Sequence, residues 1–80
     1  MIGTIKLMHR NHGDLALAEW DTESTDSLIG AELVFREHFR DGRFAFGKIA
    51  GNTFPIDRFM TDLDGDPIES ILIVPAIQGG

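Results

Sequence analysis

The stretch Ser70-Ile71-Leu72-Ile73-Val74 decides the fold, because it is the most continuous apolar run in the chain. Four consecutive apolar residues of this kind are typical of a strand that is covered on both faces of a sheet. Such a strand needs neighbours on each side, so the other elements are expected to pair with it or to pack across it. The run therefore predicts a central strand.

Two further strands are predicted to form a hairpin at the start of the sequence. The first covers Ile2 to Met8, the second covers Leu15 to Trp20, and the turn formers Asn11-His12-Gly13-Asp14 lie between them. Alternation along the second strand places Leu15 and Leu17 on one face, and Ala16, Ala18 and Trp20 on the other.

One helix is predicted from Thr25 to Asp41. The acids and hydroxyls of residues 21–26 favour a helix start, and Gly42 is expected to end the helix in a left-handed cap. Gly30 costs a helix up to ~1 kcal/mol relative to Ala, so we expect close packing at that position. The residues on the buried stripe are expected to be Leu28, Ala31, Phe35 and either His38 or Phe39.

Two more strands, Phe44 to Ile49 and Thr53 to Phe59, follow the helix, with a turn at Gly51-Asn52. Pro55 cannot donate a backbone hydrogen bond, so its strand is expected to be short and near a sheet edge. A turn-rich loop from Asp62 to Pro67 leads to the apolar run. This order predicts an α+β fold, with a mixed sheet of four or five strands and one helix across one face.

Composition restricts the classes of function. Eighty residues suffice for a single domain, here expected over residues 1–80, and the absence of Cys excludes disulfides and thiolate chemistry within it. The net charge of −6 disfavours nucleic acid and anionic membranes as partners. No apolar run reaches the ~18 residues of a membrane span, and no secretory signal precedes the first strand. We therefore expect a cytoplasmic protein.

The polar residues suggest no catalytic or metal site. Asp62, Asp64 and Asp66 alternate as in a calcium loop, but Pro67 and Ile73 occupy the sixth and twelfth positions, where an EF-hand needs Gly and Glu. The three histidines lack helical metal-ligand spacing, and no serine lies in a Gly-x-Ser-x-Gly motif. We expect a protein that is not an enzyme and holds no cofactor.

The ending Pro75-Ala76-Ile77-Gln78-Gly79-Gly80 resembles that of the molybdopterin-synthase small subunit. Leu63, Gly65 and Asp66 resemble the turn before the last strand in that subunit and in the thiazole sulfur carrier. Trp20-Asp21 after a hairpin and the helix residues Ala31 and Phe35 are similar to small bacterial ubiquitin-like proteins. Together with the order of elements, these motifs resemble the ubiquitin-like β-grasp family.

This resemblance implies a protein modifier or a sulfur carrier. An activating enzyme would adenylate the Gly80 carboxylate, and Gly79 would let the end of the chain enter a narrow channel. Gln78 and Ile77 would contact that enzyme as part of a projecting tail over residues 76–80. A deubiquitinase-type metalloprotease or a sulfur-transfer protein is a further expected partner. The alternative function is a non-conjugated interaction module, for example a phage or assembly protein that uses the fold only for docking. The alternative interpretation of the diglycine itself is a frayed, glycine-rich end.

Three aromatic residues are candidates for partner binding on the domain itself. Trp20 either seals the helix–sheet core or is an exposed anchor, since Trp is enriched at interface hot spots. Phe44 and Phe46, with Ile49, divide between the core and an open sheet face. The resemblance favours the open face as a recognition surface.

Overall fold

A computed structural model describes residues 1–9, 13–40 and 42–75. The elements in these ranges are β1 (Ile2–His9), β2 (Gly13–Asp21), α1 (Thr25–His38), β3 (Phe44–Ile49), β4 (Asn52–Ile56), β5 (Asp62–Leu63), β6 (Asp66–Pro67) and β7 (Ser70–Val74).

The sheet has five strands in the order β2-β1-β7-β3-β4, so the apolar run of β7 is central, as predicted. It pairs parallel with β1 and antiparallel with β3, which makes the sheet mixed. Ile71 and Ile73 are fully buried, whereas Leu72 and Val74 are only partly buried. The expectation that this strand is covered on both faces therefore holds for one face only.

The β1–β2 hairpin is confirmed, but the alternation predicted for β2 is wrong because a β-bulge interrupts it. In β1, Ile5 pairs with Ala18 of β2, but the next residue, Lys6, pairs with Ala16, so the register shifts by one residue. Leu17 is therefore an extra residue, and it places Leu15 on the same face as Trp20.

Helix α1 begins where predicted, after the N-cap Ser24, whose Oγ accepts a hydrogen bond from the Ser27 N–H at 3.3 Å. It ends at His38, three residues before the predicted end. The Phe39 N–H donates to the Phe35 carbonyl at 2.7 Å and caps the helix there. Gly42, at φ 80°, lies beyond this cap in the turn before β3, so it is not the helix cap that we expected. Across the described ranges, no helix is long and apolar enough to cross a membrane.

The core lies between α1 and one face of the sheet. Three aromatic rings connect its parts: Trp20 meets Phe59 edge-on at a centroid distance of 5.5 Å, and Phe59 lies 6.1 Å from Phe35. Ring pairs in this distance range add about 0.5–1.5 kcal/mol each beyond their buried area. The buried hydrophobic residues of the core are Ile5, Trp20, Ala31, Phe35, Ala45, Ile56, Ile68, Ile71 and Ile73.

The Trp20 indole lies directly against the backbone of Gly3, its partner in the β1–β2 register. A Cβ added at Gly3 would overlap three ring atoms of the indole. A side chain at this position would therefore displace the largest residue of the core.

Gly30 does not have the close neighbour that we expected. A Cβ built on it meets no atom within 4 Å, and the residue is exposed. The prediction of tight packing at this glycine is therefore wrong, because the residue lies on the outer side of α1.

The elements after β3 match the prediction in outline. β4 is an edge strand and contains Pro55, as expected, but it ends at Ile56 because residues 57–61 leave the sheet. The predicted loop from Asp62 to Pro67 contains a small hairpin, β5–β6, whose turn residues Asp64 and Gly65 both have positive φ.

Substitution by Ala should have opposite effects on stability at Gly3 and at Gly30. Gly3→Ala should lower the free energy of unfolding by about 1–3 kcal/mol, because the new methyl group overpacks the Trp20 contact. Gly30→Ala should raise it by up to ~1 kcal/mol, because the helix gains propensity in open space. Urea denaturation followed by Trp20 fluorescence measures both. Equal stability of Gly3→Ala and the parent chain would contradict the packing described.

Candidate functional site

The last described strand, β7, lies at the centre of the sheet and ends one residue before Pro75. Val74, the last residue of β7, pairs with Phe44 at the start of β3, and Pro75 is the last residue described there. The predicted site residues Gly80, Gly79, Gln78 and Ile77 lie outside the described residues. The structure therefore locates the point from which they start.

Beside this point lies the sheet face that α1 does not cover, which we call the open face. Phe44 is 57% exposed there, and Phe46 is partly buried. Leu72, on the central strand β7, lies between Phe46 and Lys6 and is the sheet partner of each. The open face consists of Lys6, Met8, Phe44, Phe46, Lys48, Ser70, Leu72 and Val74, and a shallow groove runs across most of these residues.

The open face carries two cations of this acidic protein. Lys6 and Lys48 are the only lysines of the chain, and both lie on this face. Within the described ranges, no carboxylate lies within 4.0 Å of either ammonium group. Asp14 is the one acid that lines the groove. The surface thus combines exposed apolar side chains with two cations that have no ion-pair partner among the described residues.

Trp20 does not belong to this surface. Its side chain is 1% exposed and lies on the helix side of the sheet, so no part of it is available as an exposed anchor. Its indole Nε1 is buried and has no hydrogen-bond acceptor among the described residues. The interpretation that Trp20 seals the core fits this position, and a role in partner contact does not. Ile49 likewise packs against the core.

Sequence reasoning identified the two phenylalanines of the open face but missed their neighbours. Lys6, Met8 and Leu72 join Phe46 only through the register of β1 with β7 and of β7 with β3. Nothing in the sequence specifies that register directly. The available signal was the two-residue period of each strand, which places alternate residues on one face.

The described residues contain no group of three or more His, Cys, Asp or Glu side chains that could hold a metal ion. Asp62 and Asp66 lie on the two strands of the small hairpin, with Asp64 in its turn, and all three are exposed. His12 lies outside the described residues.

Comparison of this chain with protein-family models, with curated proteins and with solved structures finds no match.

Truncation to Ala should affect stability very differently at Phe44, on the open face, and at Phe35, in the core. Phe44→Ala should change the free energy of unfolding by no more than about 0.5 kcal/mol, because the ring is largely in solvent. Phe35→Ala should cost about 3–5 kcal/mol, because this ring is 1% exposed. Chemical denaturation of both variants checks the assignment. A loss above about 2 kcal/mol for Phe44→Ala would place that ring in the core and remove it from the open face.

Proposed function

We propose that this chain is a ubiquitin-like modifier or sulfur carrier with a β-grasp fold, activated at the carboxylate of Gly80. One observation carries the proposal: a diglycine follows a strand at the centre of a mixed sheet that a single helix covers. The resemblance of the ending and of the element order to ubiquitin-like proteins supports the same function.

The position of β7 suits a carboxylate that must reach another protein. The five residues that follow Pro75 span at most about 17 Å when extended. That reach would let Gly80 enter a channel while the domain stays outside it. Glycine at the last two positions removes every Cβ that a narrow channel would exclude.

The reaction belongs to the activating enzyme, and this chain supplies the reacting group. A carboxylate oxygen of Gly80 attacks the α-phosphorus of ATP, and the bond to pyrophosphate breaks. A thiol, sulfide or amine then attacks the carbonyl carbon of the acyl adenylate, and AMP leaves. The nucleophile's proton passes to a base or to water. The products are a thioester, a thiocarboxylate or an amide.

The open face supports a second candidate function, a non-conjugated interaction module. Its exposed Phe44 and its two lysines, which pair with no carboxylate of the described residues, form a surface that could bind a partner without any chemistry at Gly80. In the first function the same surface would contact the activating enzyme, so the two functions differ in their dependence on the terminal carboxylate.

Deletion of Gly80 should abolish activation, since the carboxylate would move one residue back towards the domain. Gly79→Leu should lower activation at least about tenfold, because the side chain blocks the channel. The measurements are ATP–pyrophosphate exchange and intact mass after incubation with an adenylating enzyme from the same gene neighbourhood. Gly30→Ala is the matched control, an exposed glycine remote from the reaction. Equal exchange by the deletion variant and the intact chain would refute the carrier function.

Phe44→Ala separates the two functions. For a carrier, it should raise the KM of exchange for this protein about tenfold and leave kcat nearly unchanged, because the ring would contribute to docking and not to the reacting atoms. For an interaction module, it should abolish partner binding, while deletion of Gly80 leaves that binding intact. An unchanged KM together with unchanged partner binding would show that the open face contributes to neither function.

A further inference from the structure

A second apolar surface lies on the opposite side of the molecule, along helix α1. Ile29 and Leu33 are one helical turn apart on its outer side and are 57% and 56% exposed. Together with Phe59 and Met60 they line a groove between α1 and residues 59–62. A second depression, between α1 and residues 57–59, shares Glu32, Arg36 and Phe59 with the first. We call the two depressions together the α1 groove.

The α1 groove has a length and a floor that suit an elongated partner. It follows α1, whose 14 residues extend about 21 Å. Phe59 lines both depressions and is held from below by its ring contacts with Trp20 and Phe35. The floor is therefore part of the core, and binding there needs no rearrangement of the aromatic cluster.

Most of the charged side chains that line or surround the α1 groove are acidic, and most of them have no ion-pair partner among the described residues. Asp57 is bound to Arg58, whose Nε lies 3.2 Å from its carboxylate, so this pair contributes little net charge. Glu32 and Asp62 line the groove, and no ion pair occupies either of them within the described ranges. Asp26 and Glu37 are exposed on the same helix. Arg36 is the remaining cation of the lining. Basic side chains would complement these acids.

The walls of the α1 groove favour a helix as the bound element. One wall is α1, and the other, residues 57–62, is outside every strand except for Asp62 at the start of the two-residue strand β5. A single strand residue offers an extended peptide almost no backbone ladder to join. A helix can instead insert apolar side chains, spaced three and four residues apart, beside Ile29 and Leu33.

We propose that the α1 groove binds a basic amphipathic helix of another protein. Its apolar stripe would cover Ile29, Leu33 and Phe59, and its Lys or Arg residues would pair with Glu32 and Asp62. This binding is independent of Gly80 and of the open face, so it applies to a carrier and to an interaction module alike.

The probe is a synthetic peptide of ~18 residues with Leu at helical i, i+3, i+4 and i+7 spacing and Lys or Arg on its other face. Titration into the ¹⁵N-labelled full chain should shift amide resonances of residues 25–36 and 57–62. A peptide of the same composition in scrambled order should bind at least about tenfold more weakly. An acidic peptide with the same Leu spacing should also bind at least about tenfold more weakly.

Two sets of substitutions test the surface. Ile29→Ala with Leu33→Ala should weaken peptide binding at least about tenfold, whereas Phe44→Ala, equally exposed on the opposite side, should not change it. Glu32→Lys with Asp62→Lys should weaken binding at low salt and reduce its salt dependence, and Asp14→Lys with Glu19→Lys on β2 is the control with the same change of net charge. Unchanged urea midpoints establish that each variant is folded.

Several results would overturn the proposal. These are no binding of the amphipathic peptide, equal binding of the scrambled or acidic peptide, and shifts confined to residues 44–48 and 70–74. Retention of full affinity by the Ile29→Ala, Leu33→Ala variant would do the same. Concentration-dependent dimerisation that this variant abolishes would make a second copy of the chain the occupant, and would also overturn it.

Discussion

Close contact between the Trp20 indole and the backbone of Gly3 is the constraint on which the rest of the structure depends. The ring can reach the sheet there only because Gly3 has no side chain. This contact lies at the end of the hairpin where β2 passes into the segment that caps α1. Asp21 follows Trp20 directly, its N–H donates to Ser27 Oγ at 2.9 Å, and the same hydroxyl donates to its carbonyl. The position of the tryptophan therefore also fixes the start of the helix.

From Trp20 the packing extends to both candidate surfaces. Phe59 contacts the Trp20 ring edge-on and lines the α1 groove. The floor of that groove therefore depends on the position of Trp20, which is set by its contact with Gly3. Burial of a ring of this size is worth about 3–5 kcal/mol, the usual cost of truncating a buried Trp to Ala. This exceeds the roughly 1–3 kcal/mol cost of a buried donor without an acceptor, and the indole Nε1 has no acceptor among the described residues.

The sequence was informative wherever a local pattern is sufficient to specify structure. Ser70 to Val74 predicted a central strand, and the acids and hydroxyls before Thr25 predicted the helix start, because continuous apolar runs and N-caps act locally. Three features were missed. The end of α1 is local: it lies at the bond from the Phe39 N–H to the Phe35 carbonyl and not at Gly42. The bulge at Leu17 depends on pairing with β1, and the empty space at Gly30 depends on which elements pack on the helix, so both involve residues distant in sequence. For the same reason, the open-face phenylalanines were foreseen and their lysine neighbours were not.

The distribution of charge gives the molecule two chemically different sides. Both lysines lie on the open face, whereas Glu32 and Asp62 line the α1 groove on the other side of the sheet. Acidic groups of a partner can pair with the lysines of the first side, and basic groups of a partner can pair with the acids of the second. Because the core separates the two surfaces, occupation of one leaves the other accessible. A domain of this kind can bring two unlike proteins together: if both proposals hold, the helix side would hold one protein while the Gly80 carboxylate reacts with another.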